Sequence, residues 1–497
     1  MSVEPRHARF ACRTLPTCLL MTGLLAFCAT ARDARGQSTA PARPAQDPLK
    51  SIGPDDGYRG IWYSNQATND EYVYKYSGGL GTYCAKHSPF AIYSAKADKT
   101  FFCYGGTVKD KRELLEMVSY YDHATGTVPR PTILMNKGTD DAHDNPVISM
   151  DDKGYIFVFC SSHGTSRPSY IFKSDKPYAT DSFTVIYKGN FSYTQPWYWP
   201  GEGFLFIHTL YKGGRASHWS TSRDGITWTE PQLLAFYDQG HYQVSRPGKG
   251  VVGLGFNYHP KAFHGDPKKR GLNWRTNLYF AETRDFGRTW TNAKGDRLDL
   301  PLKAPQNPAM VREYEAEDLL VYVKDIDYDA QRRPVILFVT SRGYEPGPRN
   351  DPRTWNIARW TGSEWVFSRV TNSDNNYDTG SLYIEPDGVW RIIGPTEPGP
   401  QRYNPGGEVA IWISKDQGQS WTKIRDVTRN SELNHTYVRR PVDPHPDFYA
   451  FWADGHGREP SESRLYFCNQ AGDRVFRLPW QMTGDTARPE RVAYSNP

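Results

Sequence analysis

Short apolar runs broken by turn-forming residues set the rhythm of this chain. His143–His163 (HDNPVISMDDKGYIFVFCSSH) reads as a strand, a tight turn at Gly154 and a second strand. Tyr377–Glu397 repeats it with the same spacing, eleven residues to Gly388 and nine more to Glu397. His435–His456 does so again through Asp447, and looser copies start at His87, Tyr193, Tyr242 and near Tyr322. A third strand follows in several copies, as at Ser169–Lys173, Asn277–Glu282, Val409–Ile413 and Arg464–Phe467. The first four starts lie 56, 50 and 49 residues apart, and the wider gap before Tyr322 holds insertions around His259–Gly271 and Ala293–Glu317.

A second pattern has the same phase. Thr283–Trp290 (TRDFGRTW) and Ser414–Trp421 (SKDQGQSW) fit S/T-x-D-x-G-x-x-W, the Asp-box, and Ser222–Trp228 is one residue short of it. The Asp and Gly permit a tight turn, and the Trp tucks beneath it to pin one strand to the next. Units of four antiparallel strands with no helical stretch between them predict an all-β fold, a seven-bladed β-propeller. Six or eight blades would mean discarding a good copy or inventing one. Gly57–Tyr76 precedes the first unit and is expected to close the ring beside Val475–Trp480.

Composition narrows the classes. Aromatic residues are 14%, with 15 Trp and 32 Tyr, alongside 43 Gly and 37 Pro; this excludes disorder, a coiled coil and a helical bundle. A net charge of +5 with no basic stripe gives no reason to expect nucleic acid. Mean hydropathy of −0.69 argues against a membrane span beyond the N-terminus. There, Arg6, Arg9 and Arg13 precede an apolar run from Leu15 to Ala29, followed by Ala29-Thr30-Ala31. Residues 1–31 thus read as a secretory signal cleaved after Ala31, 32–50 as a Pro/Ala-rich linker and 51–497 as one propeller domain. A secreted or periplasmic protein is expected, with Cys84, Cys103, Cys160 and Cys468 as small buried hydrophobes rather than metal ligands.

In a blade, the start of the first strand and the end of the second emerge on one face. The starts carry His87, His143, Tyr193, Tyr242, Tyr322, Tyr377 and His435; the ends carry His163, Tyr211, Tyr258, Arg342, Glu397 and His456. Arg275 opens a third strand and points to the same face. A concave site lined by such groups is the expected active site. Hydrolysis of a glycoside needs two carboxylates in reach of one another, and only Glu397, with Asp144 or Asp378 beside the ring, is on offer. Sialidase, HExxH, nucleophile-elbow and phosphate-loop signatures are missing. His, Tyr and Arg suit β-elimination at a uronic acid: Arg neutralises the carboxylate, one group removes the C5 proton and another protonates the oxygen leaving C4.

The Asp-box repeats, Gly57–Tyr63 (GYRGIWY), Asp141–Pro146 (DAHDNP) and Ser161–Gly164 (SSHG) resemble the BNR-repeat propeller proteins. Within them stand the seven-bladed ulvan lyases and the lyases that cleave rhamnose-α-1,4-glucuronate. The resemblance spans Ser51 to Met482 and implies a catalytic set of two His from one blade with a Tyr and an Arg from a later one. His143 and His163 match the pair; Tyr258 and Arg275 are carried over for the others. Tyr193, Tyr211 and Tyr242 rival Tyr258, while Arg215, Arg246 and Arg342 rival Arg275. His87 matches a single His used by some relatives, which keeps a rhamnosidase in view. Asn145 and the rest of the ring are expected to bind substrate, with Trp197, Tyr198 and Trp199 stacking on sugars at the rim. The implied partner is an anionic polysaccharide. No cofactor is predicted, and the structural zinc of some ulvan lyases falls on no motif. A glycoside hydrolase and a non-catalytic glycan-binding propeller are the competing readings.

Overall fold

A computed structural model describes residues 50–109 and 111–494, so the expected signal peptide and most of the linker lie outside the described residues. Strand follows strand, and among the described residues the helical elements are four short 3-10 turns. Ala91–Ser94, Lys99–Thr107, Leu114–Asp122 and Thr132–Asn136 form an antiparallel sheet, to which Gly53–Pro54 adds an outer strand. Four-stranded antiparallel sheets follow over Pro146–Gly189, Ser192–Ala235, Gln243–Arg312 and Leu320–Ser373. The quartet from Ser381 to Asp426 then continues into a quartet from Asn434 to Arg477 through the pairing of Gly407 with His435. These units agree with the repeat read from the sequence, and among the described residues no helix is long and apolar enough to cross a membrane.

The inner strands of the sheets, with the segments that lead into them, touch one another. Ile148 N donates to Pro89 O at 3.0 Å, Ser88 N to Thr194 O at 3.1 Å, and Gln195 Nε2 to Gln243 O at 3.2 Å. Further round, Asn257 Nδ2 donates to Val321 O at 2.7 Å, Leu382 N to Asp325 Oδ2 at 2.9 Å and Val438 N to Thr379 O at 2.9 Å. Val442 N donates to Ala91 O at 2.8 Å and Tyr93 N to Val442 O at 3.0 Å, bringing the last sheet back to the first. Polar side chains such as Gln195 and Gln243 line these inner strands because close-set backbones leave carbonyls that need donors.

Outward from the inner strands, the sheets pack face to face. Phe157 meets Phe204 at 4.7 Å and Phe159 meets Phe206 at 5.1 Å between ring centroids. Strands covered on both faces lose the alternation of a half-exposed sheet, which is why Ile156–Cys160 is apolar throughout and wholly buried. Each such ring is worth roughly 1.5–3 kcal/mol of burial.

The Asp-boxes link third to fourth strands. Asp285 accepts from Thr289 N at 2.8 Å and Thr283 Oγ1 at 2.9 Å, and Gly287 supplies the left-handed φ of 83° that closes the turn. Trp290 beneath it is buried; Trp421 and Trp228 are only part-buried and donate to the carbonyls of Gly418 and Gly225 instead. Among the described residues, the cysteines Cys84, Cys103, Cys160 and Cys468 are buried and free.

The segment before the first sheet does two things. Tyr58 N donates to Pro479 O and Gly60 N to Ser463 O, both at 2.9 Å, which places it beside the last unit as expected. The chain then forms a separate hairpin, Trp62–Ala67 with Tyr74–Gly79, tied to His456 O through Trp62 Nε1 at 2.8 Å.

Candidate active site

His143 sits in a 3-10 turn, Ala142–Asp144, whose N-cap is Asp141; its carboxylate accepts the His143 backbone N–H at 3.0 Å. The same carboxylate then takes both imidazoles. Asp141 Oδ1 lies 2.6 Å from His143 Nδ1 and Oδ2 lies 2.8 Å from His163 Nδ1. The two rings stack at 3.9 Å with 17° between their planes. A carboxylate only accepts, so each Nδ1 carries the proton and each Nε2 presents its lone pair. His143 Nε2 is taken by Tyr83 OH at 2.8 Å and Tyr76 OH at 3.0 Å, leaving His163 as the imidazole open to a ligand.

Electrostatics keep this arrangement. Burial works to raise the Asp141 carboxyl, but His143 and His163 outweigh it and hold the group well below the ordinary carboxylate range. Burial lowers the His143 pKa, against the pull of Asp141. Asp144, fully buried, accepts His163 N at 2.7 Å and a bidentate pair from Arg167 at 2.7 and 3.0 Å, fixing the second strand end against the first.

These imidazoles open into a cavity of about 250 Å³. Across it stand Arg215, Arg275, Lys86 and Lys324, and none of the four has a carboxylate within ion-pair distance among the described residues. Their neighbours are aromatic rings and backbone carbonyls. Lys324 Nζ donates to Asn376 O at 2.7 Å and Arg275 Nε to Leu272 O at 2.5 Å. Arg275 Cζ lies 4.7 Å from the Tyr242 ring and 4.5 Å from that of Tyr322, and Arg215 Cζ lies 5.3 Å from Tyr242. Arg275 Nη2 donates to Tyr377 OH at 3.2 Å, while the buried Nε of Arg215 has no partner. Burial, with Arg275 adding to it, pushes the Lys86 ammonium down to about 7. Buried cations without counter-ions are costly unless a ligand completes them, and an anion is the ligand that would complete the two guanidiniums.

Seven of the residues expected from the sequence meet here: His143, His163, Tyr193, Tyr242, Arg275, Tyr322 and Tyr377. Tyr211 stands behind them with its OH 3.3 Å from that of Tyr193. The rival Arg215 is also present. Tyr193 and Tyr437 owe their aim to bulges, with left-handed φ of 53° and 48° beside register shifts in their strands.

Other expectations are corrected. Tyr258 is buried away from the cavity and donates to Glu315 Oε2 at 2.8 Å. His87 is fully buried under Tyr193, with neither ring nitrogen partnered. Asn145 is structural, its Nδ2 donating to the carbonyls of Leu80 at 2.7 Å and Tyr83 at 2.9 Å. Trp197 is no rim platform: at roughly 3.3 Å per residue it lies about 13 Å down the strand from Tyr193, buried, with Nε1 on Ser245 Oγ at 2.8 Å. Arg342 is exposed outside the cavity, and Glu397 pairs with Lys423 at 3.2 Å. His435 accepts from Trp452 Nε1 at 2.9 Å, and His456 Nδ1 caps the backbone of Arg458 and Glu459 at 3.2 Å. The reason is common to the last two units: the Trp62–Gly79 hairpin covers their side of the mouth and substitutes its own Tyr76.

Sequence reasoning missed Asp141, Tyr76, Tyr83, Lys86, Lys324 and Tyr437 as site residues. Asp141 had a signal, an Asx residue two before His143 in a helix-capping position. The others had none, because they sit on the hairpin, in the approach to the first unit or further along inner strands.

The fold and cavity define a repeat protein of propeller-like construction with an imidazole pair facing unpaired cations. The model of the BNR repeat-containing family matches residues 255–373. The chain is 21% identical to an ulvan lyase of Nonlabens ulvanivorans over 432 residues, covering 77% of this chain and 86% of that one. It is 20% identical over 401 residues to an ulvan lyase of Pseudoalteromonas sp. (strain PLSV), covering 70% and 76%. A solved ulvan lyase structure superposes with a TM-score of 0.65 at 18% identity, over 83% of this chain and 96% of that one, which establishes the shared fold. That lyase is also solved bound to -[GlcA(1-4)Rha3S]-.

Proposed function

We propose that this protein is an exported polysaccharide lyase that cleaves a rhamnose- and glucuronate-containing glycan of the ulvan type by β-elimination. The observation that carries the reading is the Asp141-bound pair His143 and His163 facing Arg215 and Arg275 across one cavity. The ulvan lyase relatives supply the substrate class, and the Arg-flanked apolar N-terminus supplies the reason to expect export. The strand quartets and the return of Val442 onto Ala91 support a seven-bladed propeller closed between its first and last blades, over residues 51–497.

In the proposed mechanism Arg275 and Arg215 pair with the uronate carboxylate, which lowers the cost of charge at C5. His163 Nε2 takes the C5 proton, the C–H electrons form the C4–C5 double bond, and the C4–O4 bond breaks. The hydroxyl pair Tyr193 and Tyr242, 3.3 Å apart, returns a proton to the leaving oxygen. Asp141 is a positioning residue, holding the tautomer that keeps His163 Nε2 free. No water is consumed, and the one carboxylate at the cavity edge is already bound to both imidazoles, which disfavours a two-carboxylate hydrolase.

Incubation with ulvan should raise the ultraviolet absorbance of an unsaturated uronate. His163→Ala should reduce kcat by about 10²–10⁴-fold. Products heavier by one water, or an unimpaired H163A enzyme, would overturn the reading.

A further inference from the structure

The cavity volume of about 250 Å³ lies below the roughly 300–1,000 Å³ of sites that enclose a drug-sized ligand. A polymer bound there must run out over the rim, and one side of the rim is charged. Residues 261–270, in the insertion that interrupts the repeat before Tyr322, hold Lys261, Lys268, Lys269 and Arg270 against a single acid, Asp266. The chain then turns through Gly271–Trp274 and joins the cavity wall at Leu272 and Arg275.

The loop is fixed in place. Phe263 is buried beneath it, and its backbone closes on itself, with Phe263 N donating to Lys269 O and Gly271 N to Pro260 O, both at 2.7 Å. Lys261 lies 3.9 Å from Asp238, whereas Lys268, Lys269 and Arg270 have no carboxylate within ion-pair distance among the described residues. Lys268 and Arg270 are exposed, and Lys269 Nζ stands 5.0 Å from the centroid of Trp274.

From Trp274 a line of rings and cations leads back inward. Trp274 meets Tyr344 at 6.0 Å, Lys75 Nζ lies 5.4 Å from Tyr344 and 5.8 Å from Tyr377, and Arg275 Cζ lies 5.8 Å from Tyr377. Lys75 is buried, with Asn273 Oδ1 accepting from its ammonium and no ion pair among the described residues. Positive charge thus continues from the guanidinium in the cavity to the surface without an ion pair to neutralise it.

We infer that residues 261–270 form an outer subsite for anionic groups of the polysaccharide chain, beyond the sugar held in the cavity; the inference rests on the proposed lyase function. Cations that pair with no acid gain when an anionic chain lies along them. A loop already held by its own hydrogen bonds and by Phe263 loses little freedom on binding. The subsite therefore favours long anionic chains over short fragments, and Trp274 acts by holding Lys269.

The test is calorimetric binding in the H163A background, so that cleavage does not consume the ligand. K268A/K269A/R270A should weaken the affinity for polymeric ulvan about tenfold at low salt. The loss should shrink to less than about twofold in 1 M salt, where the screening length is about 3 Å. Affinity for an ulvan disaccharide should match that of H163A alone. K153A/K176A/K415A, which removes three exposed lysines at the opposite end of the strand quartets, controls for net charge and should bind polymer as H163A does. Should the loop variant lower Tm, K268Q/R270Q leaves Lys269 on Trp274 and should still weaken polymer binding severalfold. Undiminished polymer affinity in the loop variants, an equal loss in the control, or no binding of polymer to H163A would each overturn the subsite. The lyase reading fails separately, if the parent enzyme releases no unsaturated uronate.

Discussion

The two ends of the strand quartets treat charge in opposite ways. At the Asp-box turns every acid is used up locally: Asp416 accepts from Ser414 Oγ at 2.6 Å and from the backbone N–H groups of Gln419 and Ser420 at 3.0 Å. Led by the Ser414 bond, these hold its carboxyl down to about 2. At the cavity end, Arg215, Arg275, Lys86 and Lys324 have tyrosine faces for neighbours in place of acids. Saturated polar groups hold strands together, and unsaturated ones await a ligand. The proposed chemistry is therefore placed at the cavity end, although the Asp-box is the more conspicuous motif.

Mutation can break this contrast, beginning with the carboxylate both imidazoles share. Asp141→Asn turns one acceptor into a donor and forces one histidine out of its tautomer. A comparable change in a Ser-His-Asp site costs about 10⁴ in kcat, and a loss of about 10³ is expected here with KM little altered. Imidazole ¹⁵N shifts should show the changed tautomer; unchanged shifts together with full kcat would remove Asp141 from its positioning role.

Arg275→Ala removes the guanidinium stacked on Tyr242 and Tyr322 and should lower kcat by about 10²-fold without loss of folding stability. Arg275→Lys should rescue little, because an ammonium lacks the planar fork. A variant that unfolds before it loses activity would mark Arg275 as structural.

The buried, internally bonded histidines sharpen the contrast through pH. Burial pushes His208, His241 and His435 down to about 3. Unfolded imidazoles bind protons below about pH 6.5 and these folded ones do not, so stability falls as pH drops from 6.5 toward 3. Each contributes about 1.4 kcal/mol per pH unit well below pH 6.5. Urea midpoints between pH 7 and 4 should show this slope, and His435→Gln should flatten it by one proton.

The smallest effect belongs to the Asp-box end. Asp285→Ala removes the acceptor for Thr289 N and Thr283 Oγ1 and should cost about 1–2 kcal/mol of stability with kcat unchanged. A large loss of activity in this variant would erase the distinction between the ends.

Much of the repeat was legible because its signals are local. The starts at His143, Tyr193 and Tyr242 and the Gly154 and Gly388 turns follow from alternation and turn chemistry over a dozen residues. Equivalence between repeats went too far when it assigned one face to every start and end. His435, Glu397 and His456 satisfy the repeat but bond to Trp452, Lys423 and nearby backbone, on the side that the hairpin covers. Tyr258 occupies the right register and turns to Glu315, in a connection outside the repeat.

The order of apolar and turn residues was enough to determine the strand quartets, the Asp-box joints and the His143–His163 pairing, since each arises within a single unit. Tertiary structure alone decided that Tyr76 and Tyr83 would cap His143, that Arg215 and Arg275 would face it unpaired, and that His123 would meet His445. Those meetings join residues 60 to more than 300 positions apart, and their geometry depends on bulges, a folded-back hairpin and the return of the last sheet to the first. No short-range pattern encodes such distances, because the energy that selects them comes from packing between units rather than within one.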